Sequence, residues 1–288
     1  MQLCAFPLNL SKIGGGCALA LALLPALAQA AAPNGNVPET VEGVPAAVDA
    51  DLAALATKED DWTFTVSPYL WMPSLRGNGA LDGHTGRFKA PFHKLVHDLN
   101  FVTMGNVTVN KGRYGMFFDG QYFDLSKHLA FRSADVSADS SARSTQLSLG
   151  GFYQAYRREW GGSTLFGAPR EWILSPTMGV HLTRMRVKAW GDGMTAEQTH
   201  TWAVPFVGLR SSHDINERWN LSTQWDVGAW GRQYNLQGQT YLGYRLGIFG
   251  QESMLRIGAR ILHQDYQDNG FHWNVSQYGP VAGLSMTF

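Results

Sequence analysis

Residues 275–288 read Val-Ser-Gln-Tyr-Gly-Pro-Val-Ala-Gly-Leu-Ser-Met-Thr-Phe, and they decide the fold. In an extended chain Tyr278, Pro280, Ala282, Leu284, Met286 and Phe288 share one face, while Gln277, Gly279, Gly283, Ser285 and Thr287 share the other. Successive side chains of a strand point to opposite faces, so a period of two predicts a strand lying between two different surroundings. The segments before it repeat the scheme. Leu255, Ile257, Ala259 and Ile261 oppose Arg256, Gly258 and Arg260, and Leu242, Tyr244, Leu246 and Ile248 oppose Tyr241, Gly243, Arg245 and Gly247. Earlier still, Leu221, Trp225, Val227 and Ala229 oppose Asn220, Ser222, Gln224, Asp226 and Gly228.

A soluble sandwich alternates too, but two features set this chain apart. The polar face is rich in Gly, Gln and Arg with large aromatics between them, unlike a water-facing sheet. The segments also run to about 10–15 residues, beyond the usual five or six and long enough to cross a bilayer when tilted. Ten such segments are predicted, at 62–75, 100–110, 113–125, 143–157, 171–188, 199–211, 218–231, 236–249, 253–267 and 275–288. Tight connections at 110–112, 213–217 and 250–252 alternate with longer ones at 76–99, 126–142, 189–198 and 268–274. Only the connection at 158–170 and the short one near Tyr234 break the rhythm. Short turns on one side and long loops on the other characterise transmembrane barrels. The expected fold is therefore all-β: a transmembrane antiparallel up-and-down β-barrel of about ten strands, with 8 and 12 as alternatives.

Composition agrees. In 288 residues there are 32 Gly, 10 Trp, 10 Tyr and 15 Phe, with charged residues at 16%, so most of the chain has enough apolar surface to order itself. No stretch after residue 30 approaches the roughly 18 apolar residues of a spanning helix. The first 30 residues read as a secretory signal: Lys12, an apolar run from Cys17 to Leu27, and a small-x-small site at Ala28-Gln29-Ala30. Both cysteines, Cys4 and Cys17, fall inside it, which leaves the remainder without thiol or disulfide. Residues 31–61 form an acidic, Ala/Pro-rich tail, carrying Glu39, Glu42, Asp49, Asp51, Glu59, Asp60 and Asp61 against Lys58 alone. The whole chain balances 23 bases with 23 acids; setting aside Lys12, Lys58 and those seven acids leaves 21 bases and 16 acids from Trp62 onward. The expected organisation is signal 1–30, periplasmic tail 31–61 and barrel 62–288.

From Trp62 to Phe288 the chain resembles a Gram-negative outer-membrane β-barrel protein. Phe288, with Met286, Leu284 and Tyr278 on its own face, resembles the C-terminal signal read by the barrel-assembly machinery; Val281 departs from it, standing where that signal tends to be polar. Ser67-Pro68-Tyr69-Leu70-Trp71 followed by Gly77, and Pro205-Phe206-Val207-Gly208-Leu209-Arg210, resemble segments of a poorly characterised group of porin-like barrels with no agreed activity to transfer. The resemblance implies the bacterial outer membrane as location, with membrane lipid, lipopolysaccharide and the assembly machinery as partners. The oligomeric state stays open.

Alternation sends Asp119, Gln121, Arg210, Asp226, Arg245, Arg256 and Arg260 into the lumen, with Gln146, Gln154 and Gln224. Two functions compete for them. A narrow porin-like channel for small solutes, with an arginine excess favouring anions, is the leading expectation. The alternative is a closed structural, adhesive or lipopolysaccharide-binding barrel whose Arg–Asp network fills the interior, because about ten strands enclose little more than their own side chains. Arg184, Arg186 and Lys188 continue a lipid-facing row and should emerge just above the bilayer, where cations meet lipopolysaccharide phosphates or simply water. Phe92, Leu95, Val96 and Leu99 predict a short helix, at the barrel mouth or against its rim. Trp160, Trp172, Trp190, Trp202, Trp219, Trp225 and Trp230 are expected in interfacial belts.

An enzyme is not expected, although a surface-facing hydrolase remains a minor alternative. His263 and Asp265 share a strand face, Asp124 and Ser126 lie at another rim, and His213-Asp214 falls in a periplasmic turn, but no nucleophile motif accompanies them. No phosphate-binding Gly loop, dinucleotide motif or basic nucleic-acid stretch is present, so no cofactor, metal or nucleic-acid partner is expected.

Overall fold

The computed structural model describes residues 61–81, 84–97, 99–126, 139–191, 194–268 and 271–288. The predicted signal, and the acidic tail apart from Asp61, lie outside these residues. The described chain forms β1 (Trp62–Trp71), β2 (Ser74–Leu81), β3 (His84–Ala90), α1 (Phe92–Leu95), β4 (Leu99–Lys111), β5 (Tyr114–Ser126), β6 (Asp139–Tyr153) and β7 (Tyr156–Ser163). Six longer strands complete it: β8 (Pro169–Gly191), β9 (Met194–Asp214), β10 (Trp219–Trp230), β11 (Gln233–Ile248), β12 (Gln251–Asp268) and β13 (Phe271–Thr287).

Ten of these strands close an antiparallel ring in the order β1-β4-β5-β6-β8-β9-β10-β11-β12-β13, with β13 returning to β1. Closure reaches the last residue: Phe288 and Phe64 exchange both main-chain hydrogen bonds, at 2.8 and 3.0 Å. A closed ladder satisfies each backbone N–H and C=O without water, which is the condition for crossing hydrocarbon. No helix among the described residues is long and apolar enough to span a membrane.

The ten predicted segments correspond to the ten ring strands, and three further strands lie off the ring. The stretch 76–99, expected as a loop, holds the β2–β3 hairpin and α1. β2 continues β1 past a break at Met72-Pro73 and keeps pairing with β13, from Ser74↔Tyr278 to Ala80↔His272. β1 pairs with β4 only from Trp62↔Lys111 to Pro68↔Gly105. Above that point β3 takes the place beside β2, and no β3–β4 pairing occurs among the described residues. β7 likewise continues β6 past Gln154-Ala155 and pairs with the start of β8, which explains the irregular connection at 158–170. The stretches 189–198 and 268–274, also expected as loops, are mostly strand, because β8 and β9 rise together as a hairpin of 23 and 21 residues.

Connections at Gly112-Arg113, 215–218 and Phe249-Gly250 lie at the end of the ring where β1 begins and β13 finishes, the periplasmic end in barrels of this kind; the opposite end also has a two-residue connection, Gly231-Arg232, but its strands are longer. Phe249 (φ 51°) and Gly250 (φ 76°) both take the left-handed conformation that a two-residue hairpin turn with the strands' own twist requires.

Candidate functional site

The alternation becomes an apolar exterior and a filled interior. Met178 is 68% exposed and Ile257 56%, and Leu149, Val207, Leu255 and Val227 join them in an outward band. At the periplasmic end aromatics ring this band: Trp62, Tyr114, Tyr153, Trp219 and Tyr244, with Lys111 Nζ 5.7 Å from the Trp62 ring centre. Two of the tryptophans assigned to belts lie elsewhere. Trp202 points inward and is buried, because the even residues of β9 face the lumen; Trp225 is outward but mid-strand. Trp160 and Trp172 pack with His213 beside the β7–β8 extension.

Inside, one hydrogen-bonded network crosses the lumen. The Arg260 guanidinium donates to Asp119 Oδ1 (3.1 Å), to the Tyr69 hydroxyl (2.8 Å) and to Gln237 Oε1 (2.9 Å). Tyr69 in turn donates to the Asp119 carboxylate at 2.9–3.0 Å, and Gln121 donates to it at 3.2 Å. Gln237 connects this group to Asp226, which also accepts from Gln224 (2.6 Å) and Thr177 (3.3 Å). Arg210 donates to Gln224 at 2.8 Å while its guanidinium lies 3.7 Å from the Phe117 ring centre. Side chains from β1, β5, β8, β9, β10, β11 and β12 thus meet in one cluster. Asp226 and Arg260 are each only 2% exposed. A charge taken out of water is tolerated only when paired and hydrogen-bonded, and Asp119 and Arg260 meet that condition.

Glycines make room for this network. A Cβ on Gly208 would meet the Asp226 carboxylate and Thr177, and one on Gly150 would stand 2.7 Å from the Phe117 ring. Nearer the periplasmic rim Arg245 pairs with Asp214, which also accepts from Asn220 Nδ2 and from the Glu171 N–H. Arg256 lies on the same inner face, its Nε buried and without a partner. All seven lumen candidates therefore project inward, but only Asp119, Gln121, Arg210, Asp226 and Arg260 join the network. Sequence reasoning missed Tyr69, Thr177 and Gln237, whose alternation places them inside but whose partners lie on strands remote in the chain.

Beyond the network the interior carries two apolar clusters, with the buried polar side chains of Gln264, Thr183 and Asn235 between them. Trp71, Met104, Leu262 and Val281 form one buried cluster, with Tyr69, Val102, Phe123 and Tyr241 packed on it. Farther out Met185, Val187, Trp202, Val204, Tyr266, Phe271, Trp273 and Val275 form a second. Val275 is wholly buried and Val281 1% exposed. Val281, which departs from the pattern expected of an assembly signal, is thus a wall of the inner plug.

Arg184, Arg186 and Lys188 lie on the outward face of β8 near its outer end. Arg186 Nε approaches Glu197 at 3.4 Å and Thr199 at 3.3 Å, and stands in register with Arg143, which pairs with Asp124 at 2.9 Å. A second basic group, Arg76, Arg87 and Lys89, borders Ser276 on the outward face of β2 and β3. Helix α1 covers only Phe92–Leu95; it buries Leu95, and the Phe92 N–H bonds Ser74 on β2 at 3.1 Å. Tyr278, Leu284, Met286 and Phe288 share the lipid-facing row of β13.

The hydrolase candidates do not assemble. His263 points outward, with Nδ1 2.9 Å from Ser276 Oγ, while Asp265 is engaged by Asn274 (2.8 Å) and His272 (3.4 Å) and does not orient the His263 ring. Asp124 is committed to Arg143. His213 packs against Trp160 and Trp172, and Asp214 against Arg245.

No protein-family model matches the chain, and no curated protein matches it. Among solved structures it is similar to the outer membrane protease OmpT of Escherichia coli, with 12% identity, a TM-score of 0.44, 80% of this chain covered and 97% of that one. It is also similar to the attachment invasion locus protein Ail of Yersinia pestis, with 7% identity, a TM-score of 0.34, and 80% and 99% covered. The toluene transporter TodX of P. putida follows at 9% identity and a TM-score of 0.26, with 82% and 91% covered. Protease, attachment and transport belong to those proteins by name, and the likeness is one of architecture. By its own closed ladder and apolar exterior the chain is a ten-stranded transmembrane β-barrel of the outer-membrane type.

Proposed function

We propose that this chain is a closed, non-conducting barrel of the bacterial outer membrane that acts through its outer rim, holding lipopolysaccharide by its basic strand ends. The observation that carries the proposal is the sequence of layers in the lumen: a charged and amide network, then two buried apolar clusters. Ions crossing such a path would shed their hydration against Leu262, Val281 and the Trp71 ring, with the buried Trp71 N–H and the Gln264 and Asn235 amides as isolated polar atoms along the way. Arg184, Arg186 and Lys188 on one side of the rim, and Arg76, Arg87 and Lys89 on another, supply the cations that phosphate groups bind. In this reading the protein is not an enzyme, and Phe288 with its row serves recognition by the assembly machinery.

Planar-bilayer recordings of the refolded chain should show no current above background. A steady anion-selective conductance would sink the closed-barrel reading and favour the narrow channel, for which the surplus of lumen arginines speaks. Lipopolysaccharide binding should weaken when Arg184, Arg186 and Lys188 are all changed to Gln, with the heat-modifiable folded band unchanged on gels. A surface protease or lipase activity abolished by His263→Ala would replace both readings with a hydrolase.

A further inference from the structure

Between the network and the periplasmic connections lies a cavity of about 290 Å³, whose lining reaches Asn110, Gln154 and Ser212 beside those connections. Thr65, Ser67, Thr108 and Ser222 supply hydroxyls along its wall, and Arg210 and Arg256 both reach it. Its deep wall includes Asp119, Gln224 and Tyr241, members of the network or its immediate neighbours.

The charges inside do not balance. Arg245 pairs with Asp214, Arg260 pairs with Asp119, and Arg210 reaches Asp226 through Gln224. Arg256 is left over. It has no ion-pair partner among the described residues, and its buried Nε has no hydrogen-bond acceptor. An unmatched guanidinium in a confined space costs stability unless a counter-charge joins it. Evolution tolerates such a cost where a site must stay vacant for a ligand.

We propose that this vestibule is a binding site, open to the periplasm, for a small hydroxylated carboxylate of about sugar-acid size, with Arg256 as the principal carboxylate anchor. The guanidinium fork matches a carboxylate bidentately. The hydroxyl and amide wall matches a polyhydroxyl body, and Phe152 gives one apolar surface. The volume stands at the lower end of the usual range for small-molecule sites, which excludes anything much larger. The site goes beyond the rim function proposed above, and it is reached from the periplasmic side whether or not the lumen conducts.

The experiment is calorimetric titration of the full chain, folded in detergent, with gluconate, glucose and inorganic phosphate as separate probes. Gluconate should bind, and glucose and phosphate should bind at least about tenfold more weakly, one lacking the charge and the other the hydroxyl-bearing body. Arg256→Met should reduce gluconate affinity by about tenfold or more and, unlike the loss of a structural pair, should raise the thermal unfolding midpoint of the ligand-free barrel. Arg256→Lys should keep part of the affinity, retaining the charge without the fork. No gluconate binding by the unsubstituted chain, equal binding of glucose, preference for phosphate, or affinity unchanged in Arg256→Met would each overturn the proposal. Conductance and lipopolysaccharide binding are read separately, so failure here leaves the closed-barrel reading standing, and the converse holds too.

Discussion

The two halves of the barrel interior solve the same problem in opposite ways. Toward the periplasm, space is occupied by guanidinium, carboxylate and amide groups that satisfy one another: Arg260, Asp119, Tyr69, Gln237, Asp226 and Gln224. Toward the outside, the same inward positions carry Trp71, Leu262, Val281, Trp202, Trp273 and Val275. The polar half fixes a geometry, since every partner has direction and a defined length. The apolar half fixes a seal, since its bulky side chains fill the path and only isolated polar atoms, such as the Trp71 N–H and the Gln264 amide, stand in exchange for an ion's water. A lumen that changes chemistry part-way along is one whose two ends address different compartments, and the contrast can be attacked from either side.

The largest effect is expected in the polar half. Arg260→Met strands the Asp119 carboxylate and should cost about 3–5 kcal/mol in unfolding free energy, measured by urea titration of the folded barrel in lipid vesicles. Adding Asp119→Leu to it should recover most of that loss, turning the polar half into a copy of the apolar one. A double variant no more stable than the single one would show that the network does more than neutralise itself. In the apolar half Leu262→Ala should cost about 2–5 kcal/mol through the void it leaves. Combined with Trp71→Ala it should also open measurable conductance where the parent has none, and continued silence would place the seal farther out, at Trp202 and Trp273.

Gly208→Val probes the boundary between the halves. The added side chain displaces Asp226 and Thr177, and overpacking of this kind should cost about 1–3 kcal/mol. Because it moves a network member, it should also lower the stability of the Arg260 cluster non-additively with Arg260→Met. The smallest effect is expected outside the lumen altogether. Glu197→Gln removes the exposed partner of Arg186 and should change stability by less than about 1 kcal/mol. A larger change would mean that the outer strand ends are coupled to the plug beneath them.

Much of the ring was legible in the sequence because each ring strand borders lipid, and lipid enforces strict alternation. The extra strands were not, for the same reason. β2 and β3 carry Gly77, Gly79 and Gly86 with Arg76, Arg87 and Lys89, so their pattern lacks the apolar row that marks a strand. β7, Tyr-Arg-Arg-Glu-Trp-Gly-Gly-Ser, is charged on both faces. The outer ends of β8 and β9 rise beyond the apolar band, where neither face is constrained to be aliphatic. Within the site, the inward direction of Asp119, Arg210, Asp226 and Arg260 follows from parity alone. Which of them meet does not, since Tyr69 and Arg260 are separated by 191 positions and brought together only by ring closure. The apolar plug was hidden by the expectation of a wet lumen: Trp202, Val204, Trp273 and Val275 look lipid-facing until the parity of their strands is fixed by neighbours.

The seam at β1 carries a further consequence for how the chain matures. β13 needs two partners for its length, β1 along its inner part and β2 along its outer part, and both come from the beginning of the barrel. Thr65 must find Thr287 across a separation of 222 positions before the cylinder exists at all. Contacts of such long range are slow to form, because the ordering cost of the whole chain falls due before they reward it. Until then the first and last strands each present a bare edge, so the nascent wall is a template for any neighbouring strand. The register runs unbroken through Met72-Pro73, where the Met72 N–H bonds Pro280 O at 3.0 Å, so a single run of chain caps both stretches of that edge and ends the most vulnerable interval of the protein's life.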